Sequence, residues 1–480
     1  MPLMGFNVFF VLIKHLTLIL SLLAGSAIAY STPEKPNIIF IMLDDLGKEW
    51  ISCYGAEDIN TPNIDALASG GMKFDNAYSM PQCTPSRATL LTGTYPYHNG
   101  FVNHWDVPRW GVGYFDWKNK RNTTFATLMK DLGYTTFATG KWQINDFRLA
   151  PDAMKKHGFD DWAMWTGYET GVKASAERYQ NPYIHTAKGS KTYEGKFGPD
   201  AYIDYLIGFM TENKSQPMCL YVPMCLPHTP FVTTPDEPKA KTKLGKHKAM
   251  VRYADKMVGR IVDALHKLKL RQRTLIIFTT DNGSTGSITG KRNGVRVRGS
   301  KAKEVEAGCN APFIVNWPGT TPAGVTTDAL TDFSDLLPTF VELGGGKVSA
   351  ELKIDGVSIA PLIMGKAKDS PRTWITALGH GPAMLDDKGV RGKENFATRV
   401  IRDKRHKIWV SNQRKVIRLH DLQEDPWEKV NLINSDEPQH KQAMAKLRKV
   451  LEDMPKVDAR PMYEDRAPNA WDKKLEIYKK

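Results

Sequence analysis

Two apolar runs, far apart in the chain, constrain the fold more than any other feature. Residues 37–43 read NIIFIML, and residues 274–280 read TLIIFTT. A short run of this kind without charged residues, bounded by polar positions, is typical of a strand that is buried on both faces of a sheet. The sequence therefore predicts two fully buried strands.

Oxygen-bearing side chains follow both runs directly. Asp44 and Asp45 come after the first run, and Asp281 and Asn282 come after the second. In open α/β sheets, ligands bind at the carboxyl ends of the strands. The two pairs therefore indicate a functional edge of the sheet.

Further segments alternate between strand and helix patterns, which predicts a layered α/β domain. A helix with Thr61 as N-cap, Pro62 in the first position and Gly70 as its end is expected. Another helix is expected within residues 248–268. The other predicted strands are residues 134–139, 218–224 and 311–317.

A polar, turn-rich segment at residues 365–371 suggests a domain boundary. Beyond it, residues 397–410 and 416–422 alternate like short antiparallel strands, and a charged helix is expected at about 438–454. We therefore divide the chain into a large α/β domain over residues 33–366 and a small α+β domain over residues 367–480.

The first 29 residues have the pattern of a secretory signal peptide. An apolar stretch ends in Ala27-Ile28-Ala29, the small-x-small pattern of a cleavage site. The apolar run is shorter than the roughly 20 residues that span a bilayer, which disfavours the alternative of an uncleaved anchor. We expect a periplasmic or secreted protein with no stable membrane insertion after cleavage.

Charge and cysteine content bear on the partners and on the redox state. The formal net charge of +14 favours polyanionic partners. Export makes nucleic acid the least suitable of these. The five cysteines are an odd number, so at least one lies outside any internal disulfide. If this is Cys83, the other four allow three pairings, and buried thiols are the alternative.

The segment CTPSRATLLTG, residues 83–93, contains the most informative cysteine. Thr84 as N-cap and Pro85 in the first helical position predict a helix that Gly93 ends. Cys83 would then lie at the positive end of this helix, where anions bind and a thiol pKa is lowered. A nucleophile is one interpretation, and a small buried residue is the other.

This segment resembles the CxPSR signature of the type I sulfatases, in the alkaline phosphatase superfamily. Segments that match this family in the same order include PNIIFIMLDDLG, TPNIDALASGG, TGKW, PHTPF, FTTDNG, RGSKAKEVEAG and DLQEDPWEKVNL. The resemblance implies a large mixed sheet sandwiched by helices, with a small C-terminal α+β subdomain. It covers nearly the whole chain after residue 29.

The resemblance implies that Cys83 is converted during export to formylglycine by a formylglycine-generating enzyme. One hydroxyl of the hydrated aldehyde would attack sulfur, and the other would then expel sulfate and regenerate the aldehyde. The same resemblance makes Asp44, Asp45, Asp281, Asn282 and the modified Cys83 ligands of a metal. Oxygen ligands select a hard cation, calcium or magnesium.

Four further residues match catalytic positions of the family. The resemblance implies that Arg87 holds the nucleophile, that Lys141 and Lys301 contact sulfate, and that His228 contacts sulfate and donates a proton to the leaving oxygen. Gln143 stands where the family usually has His, and Asn310 where it commonly has Arg. Because Gln cannot carry a proton, any acid–base role of that histidine must pass to another residue, for which His228 is the candidate, or be weaker.

The substrate expectation depends on charge and aromatic content. Residues 283–303 contain six basic and no acidic residues, and residues 104–117 contain five aromatic rings suited to sugar faces. We name His104, Gln143 and Arg298 as candidate substrate-binding residues. A sulfatase acting on a sulfated carbohydrate is expected; a phosphodiesterase or phosphonate hydrolase and a non-catalytic sulfated-glycan binding protein are the alternatives.

Overall fold

The computed structural model describes most of the chain after residue 34. The described residues are 35–102, 123–145, 147, 150–165, 167, 172–379, 383–386, 389–392 and 394–459. The expected signal peptide over residues 1–29, His104 and the aromatic segment 104–117 lie outside them. Described residues from Pro36 onward belong to one compact unit, and the domain boundary near residue 366 stays a prediction.

A ten-stranded mixed sheet forms the centre of the fold, in the order β12-β2-β11-β8-β1-β7-β3-β4-β5-β6. The strands of the described residues are β1 (Asn37–Leu43), β2 (Met72–Tyr78), β3 (Thr135–Lys141), β4 (Asp161–Trp165), β5 (Tyr183–Thr186), β6 (Gly189–Thr192), β7 (Met218–Pro223), β8 (Thr274–Thr280), β9 (Thr289–Arg292), β10 (Val295–Arg298), β11 (Phe313–Asn316), β12 (Val325–Asp332), β13 (Ile375–Leu378), β14 (Ala383–Asp386), β15 (Gly389–Gly392), β16 (Arg399–Arg402), β17 (His406–Val410) and β18 (Val416–Asp421). β1 and β8 have the bounds that the two apolar runs predict.

Strand β1 lies inside the sheet because its residues are apolar on both faces. It pairs in parallel with β8 on one side and with β7 on the other. Ile38, Phe40 and Met42 belong to one hydrophobic core, whereas Ile39 and Ile41 belong to the core on the opposite face. Such a strand fixes the place of the residues that follow it.

Helices cover both faces of this sheet, which confirms the predicted α/β class with a sandwiched mixed sheet. The helices of the described residues are α1 (Pro62–Ser69), α2 (Cys83–Thr92), α3 (Pro96–Asn99), α4 (Phe125–Asp131), α5 (Ala153–Lys156), α6 (Gly198–Glu212), α7 (Lys243–Lys267), α8 (Glu306–Cys309), α9 (Leu336–Leu343), α10 (Ala360–Ile363) and α11 (Pro438–Asp453). Helices α2, α4 and α9 contribute to one core, and α1, α6 and α7 to the other. Within the described part of the chain, every helix is too short or too polar to cross a membrane.

A small antiparallel sheet and one helix form the C-terminal subdomain, as expected. The sheet order is β13-β16-β17-β18. Helix α11 contributes Leu447 and Leu451 to a third core that also contains Ile401 and Ile408 of the small sheet. The small α+β subdomain of the predicted fold class is therefore confirmed.

The cysteines do not form disulfides. All five lie among the described residues, and none is bonded to another. Burial raises the pKa of Cys219 and Cys225, so these thiols are protonated and unreactive at neutral pH. No two cysteines are bonded in this structure; Cys83, Cys219, Cys225 and Cys309 are buried, and Cys53 is half-buried.

Candidate active site

The two pairs of oxygen-bearing residues lie side by side at one edge of the large sheet. Leu43 at the end of β1 is opposite Thr280 at the end of β8, so the residues after each strand become neighbours. The backbone N–H of Asp45 donates to Asp281 Oδ1 at 3.1 Å. The edge that the sequence indicates is therefore a real cluster of carboxylates.

Two buried cations hold the innermost carboxylates. Lys141, the last residue of β3, donates to Asp44 Oδ2 at 2.7 Å. The Nη2 of Arg87, in α2, donates to Asp281 Oδ2 at 2.7 Å, and Nη1 donates to the backbone oxygen of Lys141 at 3.0 Å. Because none of these side chains is more than 1% exposed, solvent hardly screens the charges.

Asp45 contacts the remaining polar residues of the cluster. Its Oδ1 accepts from Lys301 Nζ at 2.6 Å and from Asn282 Nδ2 at 2.8 Å. Its Oδ2 lies 3.6 Å from His228 Nε2. Lys301 also lies 3.9 Å from Cys83 Sγ, and it thereby connects the acidic edge with the start of α2.

The charge balance of the cluster fits a divalent cation. Burial, and then the neighbouring Asp44 carboxylate, raises the pKa of Asp281 well above its ordinary value, although Arg87 opposes this. Burial would also raise the pKa of Asp44, but Lys141 and other cations hold it well below its ordinary value. An additional cation would allow all the carboxylates to ionise together.

Two buried oxygens also fit a metal. Asp44 Oδ1 and Asn282 Oδ1 have no hydrogen-bond partner in the structure. Ligand atoms of Asp44, Cys83 and Asp281 lie within 4.8 Å of one another, as do those of Asp44, Asp45 and His228. Since buried oxygens are rarely left unpaired, these residues suit an oxygen-preferring ion such as calcium.

Cys83 lies on the first turn of α2 and is fully buried. The N-cap is Gln82, whose backbone oxygen accepts from the N–H of Ser86 at 3.2 Å. The prediction of Thr84 as N-cap is therefore wrong, because the first helical hydrogen bond forms two residues earlier. Gly93 ends the helix with φ of 65°, as predicted.

Ser86 is a functional position that we did not assign from the sequence. Its hydroxyl donates to the backbone oxygen of Asp281 at 2.5 Å and lies 3.0 Å from the backbone N of Met80. It thereby joins α2 to the end of β8 and fixes the position of Cys83 relative to the acids. The PSR letters of the resemblance were the signal that could have identified it.

Arg178 is a second residue that sequence reasoning missed, since it lies outside every recognised motif. Its Nη2 lies 2.8 Å from His228 Nδ1, and its guanidinium lies over the Trp165 ring at 4.3 Å. Burial lowers the pKa of His228 to about 3. Trp165 therefore packs against Arg178, and Arg178 holds the neutral imidazole of His228 beside Asp45.

Of the three predicted substrate-binding residues, Gln143 and Arg298 lie among the described residues. Gln143 follows Lys141 by two residues, is buried, and has a positive φ of 62° and an Oε1 without a hydrogen-bond partner. Arg298 is exposed at the end of β10, and its Nε donates to the Gly286 oxygen at 2.8 Å. Asn310, which stands where the family commonly has Arg, accepts at Oδ1 from Lys48 Nζ at 2.7 Å.

A large cavity is bordered by described residues outside the cluster. It has a volume of about 990 Å³ and is lined by residues that include Lys48, Glu49, Arg292, Arg402 and Trp427. Neither Cys83 nor the oxygen-bearing residues line it. The arrangement of side chains, and not cavity size, therefore identifies the candidate active site.

Known proteins resemble the chain over most of its length. The sequence profile of the family described as Sulfatase matches residues 36–346, and the profile described as N-sulphoglucosamine sulphohydrolase, C-terminal, matches residues 302–457. The N-acetylgalactosamine-6-sulfatase of Canis lupus familiaris is 30% identical over 373 residues, covering 72% of this chain and 70% of that protein.

Two relatives cover more of the chain. The ulvan-active sulfatase of Formosa agariphila is 28% identical over 465 residues, which cover 86% of this chain and 78% of that protein. Among solved structures, Ps i-CgsB in complex with k-i-k-neocarrahexaose superposes with a TM-score of 0.71 at 27% identity, over 88% of this chain and 94% of that one.

Proposed function

The chain belongs to the sulfatase family of sulfuric ester hydrolases, and from that premise we propose that it removes sulfate from a sulfated carbohydrate with a nucleophile made from Cys83. The observation that carries this proposal is the position of Cys83. Its Sγ lies 3.9 Å from Lys301 Nζ, and it belongs to a group of possible ligands with Asp44 and Asp281.

The proposed nucleophile requires conversion of the Cys83 thiol to formylglycine, whose hydrate supplies a hydroxyl. A calcium ion held by Asp44, Asp45, Asp281, Asn282 and the modified side chain would lower the pKa of that hydroxyl and offset negative charge on the sulfuryl group. The two unpartnered oxygens of Asp44 and Asn282 support this ligand set.

The surrounding cations would bind and orient the sulfate ester. Lys141 and Lys301 present ammonium groups next to Asp44 and Asp45, and Arg87 fixes Asp281. Because these charges are positioned before substrate arrives, they can stabilise the transferring group without reorganisation. His228, held by Arg178 at 2.8 Å, would hydrogen-bond the leaving oxygen.

A basic hairpin supports a polyanionic carbohydrate as the substrate. β9 and β10 pair as an antiparallel hairpin that leads to Lys301. Lys291 pairs with Glu57, but Arg296 and Arg298 are exposed. Relatives named for ulvan and N-acetylgalactosamine, and a structure with a bound oligosaccharide, support the same substrate class.

The decisive experiment measures sulfate release together with the conversion of Cys83 to formylglycine. We expect protein made together with a formylglycine-generating enzyme to show an aldehyde at Cys83 by mass spectrometry and to release sulfate from sulfated oligosaccharides. Cys83→Ala should release none. Faster turnover of phosphate esters would favour the phosphodiesterase alternative, and binding without sulfate release by fully converted protein would favour a binding protein.

The substrate class has its own test. The double variant Arg296→Ser/Arg298→Ser should raise KM for a sulfated oligosaccharide about tenfold, since two exposed charge contacts each contribute about 0.5–1 kcal/mol. Turnover of a small aryl sulfate should stay unchanged. Lys291→Ser, in the same hairpin but paired with Glu57, is the control. An equal effect of the double variant on both substrates would contradict a carbohydrate-binding rim.

Export is part of the proposal. The pattern of residues 1–29 supports a periplasmic or secreted enzyme, which would meet both its maturation enzyme and sulfated polysaccharides outside the cytoplasm. N-terminal sequencing of the protein secreted by its producing cell is expected to begin near residue 30. A mature protein that begins at Met1 would contradict this.

A further inference from the structure

A second cluster of metal-ligating side chains lies in the C-terminal subdomain, away from the candidate active site. It consists of His406 at the start of β17, Asp421 at the end of β18 and His440 on the first turn of α11. One ligand atom from each residue lies within 4.8 Å of the other two, and all three residues are buried. We propose that these side chains bind a zinc ion that fastens α11 to the small sheet.

The strands and the helix bring the three residues together from separate parts of the subdomain. His406 and Asp421 face each other in the register of β17 and β18. Asp421 Oδ2 lies 3.9 Å from His406 Nε2 and 4.0 Å from His440 Nε2. Tetrahedral zinc with bonds of about 2 Å places ligand atoms about 3.3 Å apart, so small side-chain movements suffice.

The hydrogen bonds of the two histidines leave the facing nitrogens available. His406 Nε2 is buried without a hydrogen-bond partner, and the whole residue is 7% exposed. His440 Nδ1 lies 2.7 Å from Ser435 Oγ, which also accepts from the N–H of Glu437 at 3.3 Å. When Nδ1–H donates to Ser435, the lone pair of His440 Nε2 points to the metal, as is usual for zinc-binding histidines.

Arg405 already binds the third ligand. Its Nη2 donates to Asp421 Oδ2 at 2.7 Å, and its Nε lies 2.9 Å from Oδ2 and 3.0 Å from Oδ1. The backbone N–H of Gln423 donates to Asp421 Oδ1 at 3.1 Å. These bonds orient the carboxylate, and a metal bound at Oδ2 would share that oxygen with Arg405. Carboxylates that bind metals are commonly held by such partners.

The composition of the cluster selects zinc. Two imidazoles and one carboxylate form a mixed nitrogen and oxygen set, which suits zinc better than calcium. A cavity of about 410 Å³ borders His440 and Ser435 on one side of the proposed site, and a water would complete the coordination of the ion. The proposed site is independent of sulfate ester hydrolysis.

The test measures zinc per chain on the full-length protein. After treatment with a chelator and saturation with calcium, the protein is dialysed against Zn²⁺ and analysed by inductively coupled plasma mass spectrometry. We expect one zinc per chain in the wild type and in His266→Gln, an exposed histidine of α7, and none in His440→Gln. Sulfatase activity should be the same in all three.

A variant that keeps all three ligands separates a loss of zinc binding from a loss of folding. Ser435→Ala should fold normally by circular dichroism and bind zinc about 10- to 100-fold more weakly, because it removes the partner of His440 Nδ1. If His440→Gln does not fold, Ser435→Ala decides. Equal zinc content and affinity in wild type and Ser435→Ala, or no zinc held by the wild type, would overturn the proposal.

Discussion

Arg87 has a fully buried guanidinium that faces two carboxylates. Its Nη2 lies 2.7 Å from Asp281 Oδ2 and 3.9 Å from Asp44 Oδ1. Burial alone would lower the pKa of Arg87, but the Asp281 carboxylate and its neighbours raise it above the ordinary value. The arginine therefore stays charged in the folded protein, and we expect its ion pair with Asp281 to contribute to stability.

Arg87→Met should lower the free energy of unfolding by about 3–5 kcal/mol, because it leaves a buried carboxylate without its partner. The measurement is the urea unfolding curve of protein without added metal. Arg260→Met is the matched control: Arg260 pairs with Asp200 and Asp204 in partly exposed positions, where we expect at most about 1 kcal/mol. Equal losses in the two variants would contradict the buried pair.

Gln143 shows how one side chain could change the acid–base chemistry of the site. Gln143→His would introduce a group that titrates near pH 6.5. The pH profile of kcat/KM should then show an additional ionisation between about pH 5 and 8, which the wild type and Gln143→Asn lack. Parallel profiles for all three proteins would show that position 143 takes no part in the reaction.

At the scale of elements, the close approach of β3 to β7 determines where Lys141 lies. Gly140 has φ of 120°, and a Cβ at this position would lie 2.0 Å from the backbone oxygen of Pro223. Only glycine allows the two strands to come this near. The next residue is Lys141, so the strand contact sets the position of an ammonium group in the candidate active site.

Gly140→Ala should lower the free energy of unfolding by at least about 2 kcal/mol, through backbone strain and overpacking, and should reduce kcat by displacing Lys141. Gly133→Ala is the control, since Gly133 has φ of 82° but open space around it; about 1–2 kcal/mol of strain and an unchanged kcat are expected. Thermal unfolding and steady-state kinetics measure both. Similar kcat values in the two variants would refute the positioning role.

The sequence predicts elements whose signal is local. The bounds of β1 and β8 follow from two runs without charged residues and with apolar centres, and α1 follows from Pro62 and Gly70. The start of α2 could not be fixed, because Thr84 and Pro85 suit several positions of a first turn. Arg178 could not be predicted, since only the folded chain brings it to His228. The β9–β10 hairpin could not be predicted from the sequence, because residues 289–298 include few apolar residues and a run of basic ones.

At the scale of the whole molecule, buried histidines affect stability. Burial lowers the pKa of His157 to about 3 and that of His185 to about 4. His157 Nε2 lies 2.8 Å from Asn145 Oδ1, so the neutral ring has a partner. The unfolded chain, with ordinary histidine pKa values near 6.5, binds more protons than the folded protein below that pH.

Stability should therefore fall as pH falls from about 6.5 toward 4, by about 1 kcal/mol per pH unit for each such histidine. Urea unfolding at pH 7.5, 6 and 5 measures this dependence. His157→Gln should reduce the slope, whereas the exposed His266→Gln should leave it unchanged. An identical slope in wild type and His157→Gln would contradict the assignment.

The enclosure of Cys83 sets an order of events during biosynthesis. No surface of this side chain reaches solvent in the folded protein, and Asp281, which follows β8, is made about 200 residues later. At about 5–20 residues per second, a ribosome needs about 10–40 s to make that stretch. The proposed oxidation of the thiol to an aldehyde must therefore happen while the nascent chain is still open, and a chain that folds first would be permanently inactive.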